Sequence, residues 1–278
     1  MKIKISADST CDLSQDLIDR WNIGITPLYI NIGDDCIQDV GINTEELFAK
    51  VDAGLPCSTA AVNVQDYIDV FSEWLKEYDA IVHFTISSDM SSCYQNACIA
   101  AAELGSVYVV DSRSLSSGIG HLALDAAEMA AEGVDAATIK DRLDERKQKL
   151  DVSFVLETLE YMRRGGRCSS VQAFGANLLK LRPCIQVSEG KMGVAKKFRG
   201  KIVSCYLDYI RDKLSDPETI DPRRIFITDS GLPEEARDEL EAELRRIIPF
   251  EHIYRTHAGF TISCHCGPGC MGILFFRK

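Results

Sequence analysis

No run of apolar residues in this sequence is long enough to cross a bilayer. The opening MKIKISADST carries no apolar h-region, so a secretory signal is not expected and the expected location is the cytoplasm. Neither a GxxxxGK[ST] phosphate loop nor a GxSxG nucleophile elbow is present, and no GxGxxG follows the first apolar segment. A chain without these loops does not look like a self-sufficient nucleotide-using enzyme. A net positive charge is also lacking, with 31 Lys and Arg against 42 Asp and Glu. A formal net charge of −11 argues against nucleic acid as a partner, since phosphate contacts need a basic face. Internal repeats and low-complexity linkers are missing as well. Cysteine, by contrast, is plentiful, with 11 in 278 residues. With no signal peptide these read as reduced thiols, mostly buried as small hydrophobes.

Strand and helix patterns alternate through the first half. KIKISA, GITPLYINI, AIVHFTI, SVYVVDS and SFVLETL read as strands. TEELFAKVDA, VQDYIDVFSEWLKEY, HLALDAAEMAAEG and AATIKDRLDERKQKL read as helices. Strands separated by helices predict a parallel sheet covered on both faces, a three-layer α/β domain. Further on, QVSEGKMGVAKKF predicts a hairpin turning at Glu189–Gly190. RRIFITDS and FEHIYRTHA are strands flanking the amphipathic helix EEARDELEAELRRII, and GILFF is a short final strand. This predicts a smaller two-layer α/β domain with a mixed sheet. The boundary falls after the charged stretch DERKQKL, giving domains 1–150 and 151–278.

The stretch with the clearest chemistry is AIVHFTISSDMSSCYQNACIAAAEL, a strand joined to a helix through Ser87, Ser88, Ser91 and Ser92. A helix N-terminus offers unpaired N–H groups and partial positive charge, and serine hydroxyls add donors without adding charge. Four serines in six residues predict an anion site, although a single serine would serve only as a cap. At the end of the first strand Asp8 and Ser9 either line a cleft, or Asp8 and Asp12 cap the next helix. Ser58 and Thr59 sit in Pro56-Cys57-Ser58-Thr59, between two helices, where they either face the anion or cap the next helix. Arg167 closes Arg163-Arg164-Gly165-Gly166-Arg167, a turn suited to a planar anion or simply a solvated basic turn. Cys264-His265-Cys266-Gly267-Pro268-Gly269-Cys270 invites a zinc reading. Adjacent ligands on an extended chain alternate in direction and fit one tetrahedral site poorly. The expectation is therefore no metal, with His265 binding or protonating an anion.

Together these segments resemble the DegV family of bacterial fatty-acid-binding proteins, over essentially the whole chain. ADSTCDLS looks like its D-S-[ST]-x-D-L segment, and FTISSDMSSCYQNA is similar to its I-S-S-x-L-S-G-T-Y-Q-S-A segment. VYVVDSRSLSSGIG, the LETLEYMRRGGRCSSVQAFGANLLKLRPCIQVSEGKM stretch, FRGK and HCGPGCMGILF resemble four further family segments, in the same order. The resemblance implies a two-domain DegV fold and one long-chain fatty acid as ligand, with no other cofactor. The acyl tail would lie in a buried apolar tunnel. Hydroxyls at Ser58, Thr59, Ser91 and Ser92 would hold its carboxylate, with Ser9, Ser87, Ser88 and Arg167 lining the cleft. Arg199 and His265 match positions near the head group or the kinase-facing side. Family members present the lipid to a separate ATP-dependent kinase subunit that makes acyl phosphate, so this chain would itself not be an enzyme. The family's T-S-Q is Ser58-Thr59-Ala60 here, and its G-T after the serine is Ser92-Cys93. The residues also allow a stand-alone enzyme acting on a small phosphorylated or carboxylated metabolite, with His265 as acid or base. A redox or zinc regulator built on the Cys-His-Cys segment is the third reading.

Overall fold

The structure is a computed structural model that describes residues 1–41, 44–169 and 181–278. The Ser170–Lys180 piece of the family-like stretch above lies outside the described residues. The chain divides into two compact units, Met1–Gln148 with Gly259–Thr261, and Lys149–Ala258 with Ile262–Lys278.

In chain order the first unit contributes strands β1 (Ile3–Asp8), β2 (Gly24–Thr26), β3 (Tyr29–Ile32), β4 (Asp35–Gln38), β5 (Cys57–Ala60), β6 (Ala80–Thr85) and β7 (Val107–Asp111). Its helices are α1 (Gln15–Trp21), α2 (Thr44–Asp52), α3 (Val64–Trp74), α4 (Cys93–Leu104), α5 (Ser117–Ala131) and α6 (Ala136–Arg146). Strands β2-β1-β6-β7 form an all-parallel sheet. Every residue of β6 is buried, as expected of a strand covered on both faces. His83, in its middle, is accommodated by the Ser6 hydroxyl 2.9 Å away. Asn63 and Asp135 cap α3 and α6 by accepting the Asp66 and Thr138 N–H groups.

The GITPLYINI segment, expected as one strand, is two. β2 ends at Thr26, and β3 begins at Tyr29 in a separate antiparallel sheet of order β4-β3-β5. Pro27 has no N–H to give to a ladder, so the parallel sheet stops there. Ser58 and Thr59 lie on β5, opposite Asn31 and Ile30 of β3, rather than in a loop before a helix.

In the second unit β8 (Leu150–Val155) is followed by α7 (Glu160–Gly165), then β9 (Leu181–Ser188), β10 (Lys191–Arg199), β11 (Ile220–Asp229), β12 (His252–His257) and β13 (Met271–Arg277). The sheet order is β10-β9-β8-β13-β11-β12, with only β11 and β12 parallel. The hairpin turns at Glu189 and Gly190, whose φ values of 52° and 79° are those of a primed two-residue turn. Val155, Cys184, Phe198, Ile225, Ile227, Ile273 and Phe275 share one core. Tyr206, Tyr209 and Ile210 of the helix Ile202–Lys213, and Leu240 and Leu244 of the helix Glu234–Ile247, complete it. This is the two-layer mixed-sheet unit. No helix of the described residues is long and apolar enough to cross a membrane.

Residues 260–266 depart from the extended conformation expected around His265, and form a helix instead. The reason is a set of partners distant in sequence. Asp12 accepts the Gly259 N–H at 2.8 Å, and Asp39 accepts those of Phe260 and Thr261, each at 3.1 Å. Two aspartate side chains thus supply the acceptors that a helix start requires.

Candidate functional site

Four strands end side by side at the C-terminal edge of the parallel sheet. Thr26 is in register with Asp8 and Thr85 with Asp111, while the pairing of Ala7 with Phe84 makes Asp8 and Thr85 neighbours. Register partners share a face, so these four buried residues form one polar row. Burial lifts the Asp8 carboxyl to about 6, against the opposing pull of the Thr10 hydroxyl and the Ile86 N–H. The Ile86 N–H lies 2.8 Å from one Asp8 oxygen, and the Thr10 hydroxyl donates to the other. Asp111 accepts the Ser88 hydroxyl at 2.5 Å and the N–H groups of Ser88 and Arg113 at 3.2 and 3.0 Å.

The four-serine joint separates into distinct tasks. Ser87 is buried, and its carbonyl accepts the N–H groups of Met90 and Ser91 at 2.9 and 3.2 Å, closing the turn. Ser88 holds Asp111. The Ser91 hydroxyl donates to the Cys93 thiol at 3.2 Å and accepts the Cys93 N–H at 3.3 Å. Ser92 stands exposed at the N-cap of α4 and makes no side-chain cap bond. The segment after β5 is drawn to the same helix start. Asn96 Nδ2 donates to the Val62 carbonyl at 2.7 Å, and the Val62 N–H reaches the Cys93 thiol.

On β5, Ser58 is exposed and Thr59 half-buried. Adjacent strand residues project to opposite faces, so the two hydroxyls do not share one direction. Ser9 is engaged locally, accepting the Leu28 N–H at 3.1 Å and donating to Asp39 at 3.4 Å.

Taken on its own, the second unit carries His265, Arg167 and Arg199. His265 lies in the last turn of the helix Phe260–Cys266 and against Gly165 of α7, where an added Cβ would come within 2.1 Å of Nδ1. Only glycine lets the ring approach this closely. Burial, helped by the Arg167 charge, pushes the imidazole down to about 4. It is therefore neutral at pH 7 and acts as a hydrogen-bonding group rather than a cation. Arg167 is exposed and donates to the Gly165 carbonyl at 2.8 Å. Arg199 is exposed at the end of β10, opposite Leu181. The Gly-Pro-Gly turn is pinned by Ser230, whose hydroxyl donates to the Gly267 carbonyl at 2.6 Å and accepts the Cys270 N–H at 2.9 Å. No group of three or more His, Cys, Asp or Glu able to hold a metal occurs among the described residues.

The long-range contacts of two aspartates escape a reading of the sequence. Asp12 and Asp39 act through contacts more than 200 residues away, for which no local signal exists. The arrangement as a whole offers uncharged hydroxyls and N–H groups around the start of α4, a setting for a carboxylate or a phosphate.

Residues 2–278 match the family described as "uncharacterised protein, DegV family". A DegV domain-containing protein of Caldanaerobacter subterraneus is 32% identical over 100% of this chain and 99% of its own. A fatty acid-binding protein of Thermotoga maritima is 30% identical over 98% of this chain and 96% of its own. Among solved structures, a DegV family protein of Thermus thermophilus described for fatty acid binding superposes with a TM-score of 0.90. It is 32% identical, with 100% of both chains covered.

Proposed function

The chain belongs to the DegV family, and from that premise we propose that it binds one long-chain fatty acid and presents it to a separate ATP-dependent kinase subunit. The observation that carries this is the uncharged donor set around Ser91 at the start of α4. A cradle of hydroxyls and N–H groups holds a carboxylate without a buried fixed cation. It also leaves a carboxylate oxygen free to attack a phosphoryl donor. Ser91 is the leading hydroxyl, with Ser58, Thr59 and Ser92 as further carboxylate contacts. On the first unit Ser9, Ser87 and Ser88 are the proposed cleft-lining residues; on the second, Arg167 is proposed to line a cleft, and Arg199 and His265 to face the head group or the kinase. The acyl tail supplies most of the affinity, at about 0.8 kcal/mol per buried CH₂. The relatives described as fatty acid-binding support the ligand class. His265, held near 4, is a weak base at neutral pH. This favours a carrier, working in the cytoplasm, over an acid–base enzyme acting alone on a small metabolite.

Calorimetric titration of delipidated protein with oleate tests the reading. The wild type binds, and Ser91→Ala weakens binding about tenfold or more, the effect of losing one hydrogen bond to a charged group. A wild type that takes up neither oleate nor palmitate overturns it.

A further inference from the structure

Cys93, the first residue of α4, is approached by donors from three directions. The Ser91 hydroxyl lies 3.2 Å from its sulfur, and the Val62 N–H and the Tyr67 hydroxyl reach the same thiol. Burial keeps that thiol protonated, pushed up to about 11. A neutral thiol is a weak acceptor and does not satisfy three donors. Tyr67 shows the deficit most clearly. The residue has no exposed surface, and its hydroxyl faces Cys93 and Thr26 without completing a hydrogen bond among the described residues. The ring has no freedom to turn elsewhere. It packs 5.3 Å from Phe71 and 5.3 Å, edge-on, from His83, which is itself tied to Ser6. Thr85, in the polar row of the sheet edge, is likewise buried with a hydroxyl that has no partner among the described residues. Buried polar groups are nearly always paired, and an orphaned hydroxyl beside convergent donors marks a place where a ligand atom completes the set. The acidic residues of the same edge do not use these donors. Asp8 is engaged by Ile86 and Thr10, and Asp111 by Ser88 and Arg113.

We propose that Tyr67 is a head-group ligand: with the Ser91 hydroxyl and the Val62 N–H it forms a three-donor cradle around one carboxylate oxygen seated against Cys93. The proposal rests on the fatty-acid reading above and adds to it a residue from α3. Tyr67→Phe removes only the hydroxyl and keeps the ring packing. Its test compares wild type and variant in two ways, by the melting temperature of delipidated protein and by affinity for oleate and for methyl oleate, which has the same tail and no carboxylate. The expected result is an unchanged melting temperature without lipid, oleate affinity lowered about tenfold, and equal affinity of both proteins for methyl oleate. Equal oleate affinity in the two proteins overturns the proposal and leaves the fatty-acid reading standing. A lowered melting temperature with equal losses for both lipids makes the hydroxyl structural and also overturns it. A wild type that binds no oleate removes both readings together.

Discussion

Ser91 and Ser92 show how neighbouring residues of one type divide between roles. The Ser91 hydroxyl turns inward to Cys93, whereas Ser92 faces solvent at the helix cap. The serine-rich joint was visible in the sequence as a donor cluster. Which serine turns inward was not, because that depends on the turn closed by the Ser87 carbonyl. Four buried titrating groups give the fold a defined pH response. Burial holds His83 near 3 and His265 near 4, below the ordinary 6.5. The unfolded chain takes up these protons first, so their stabilising contribution is full above 6.5 and is lost as pH falls toward 4. Asp8 and Asp12 are raised by burial from 3.8 to about 6 and about 8. The folded state keeps protons that the unfolded chain has released, so their contribution is full below 3.8 and is lost as pH rises through 6 and 8. The two trends oppose one another below 6.5. Between 6.5 and 8 Asp12 acts without opposition from the histidines. The melting temperature is therefore expected to fall over that interval in the wild type and to stay level in Asp12→Asn. Thermal melts across the range check this, and a wild-type melting temperature that rises from pH 6.5 to 8 contradicts it.

At the scale of elements, those with a local signature were legible and those built by distant partners were not. The β9–β10 hairpin follows from Glu189–Gly190, and α3 and α6 from their Asn63 and Asp135 caps. The helix Phe260–Cys266 carries no such signature, since its first N–H groups are accepted by Asp12 and Asp39. The strand β5 was equally hidden, because Ser-Thr before a helix reads as a cap until β3 is found pairing with it. The contact between α7 and His265 is a point where two elements depend on one missing atom. Alanine at Gly165 gains up to about 1 kcal/mol in helix propensity. Its Cβ, however, would fall 2.1 Å from Nδ1 of His265, and overpacking of this kind costs about 1–3 kcal/mol. Gly165→Ala is therefore expected to lower the melting temperature and to shift the His265 ring resonances. Unchanged ring resonances in the variant would show that the two elements do not meet as described.

For the molecule as a whole, the alternation of strands and helices was enough to give a parallel-sheet unit followed by a mixed-sheet unit. The ordered family-like segments gave membership of the DegV family. Strand order in the second unit was beyond local reading, since β13, the last strand, inserts between β8 and β11. The ligand is where fold and site meet. An acidic chain with a hydroxyl-lined sheet edge, in a family with fatty acid-binding members, is what the proposed anionic-lipid ligand rests on. Mass spectrometry of the organic extract from purified, denatured protein tests this most directly. The account predicts a long-chain fatty acid in stoichiometric amount. A protein that yields no acyl chain, and takes up none when oleate or palmitate is added, contradicts it.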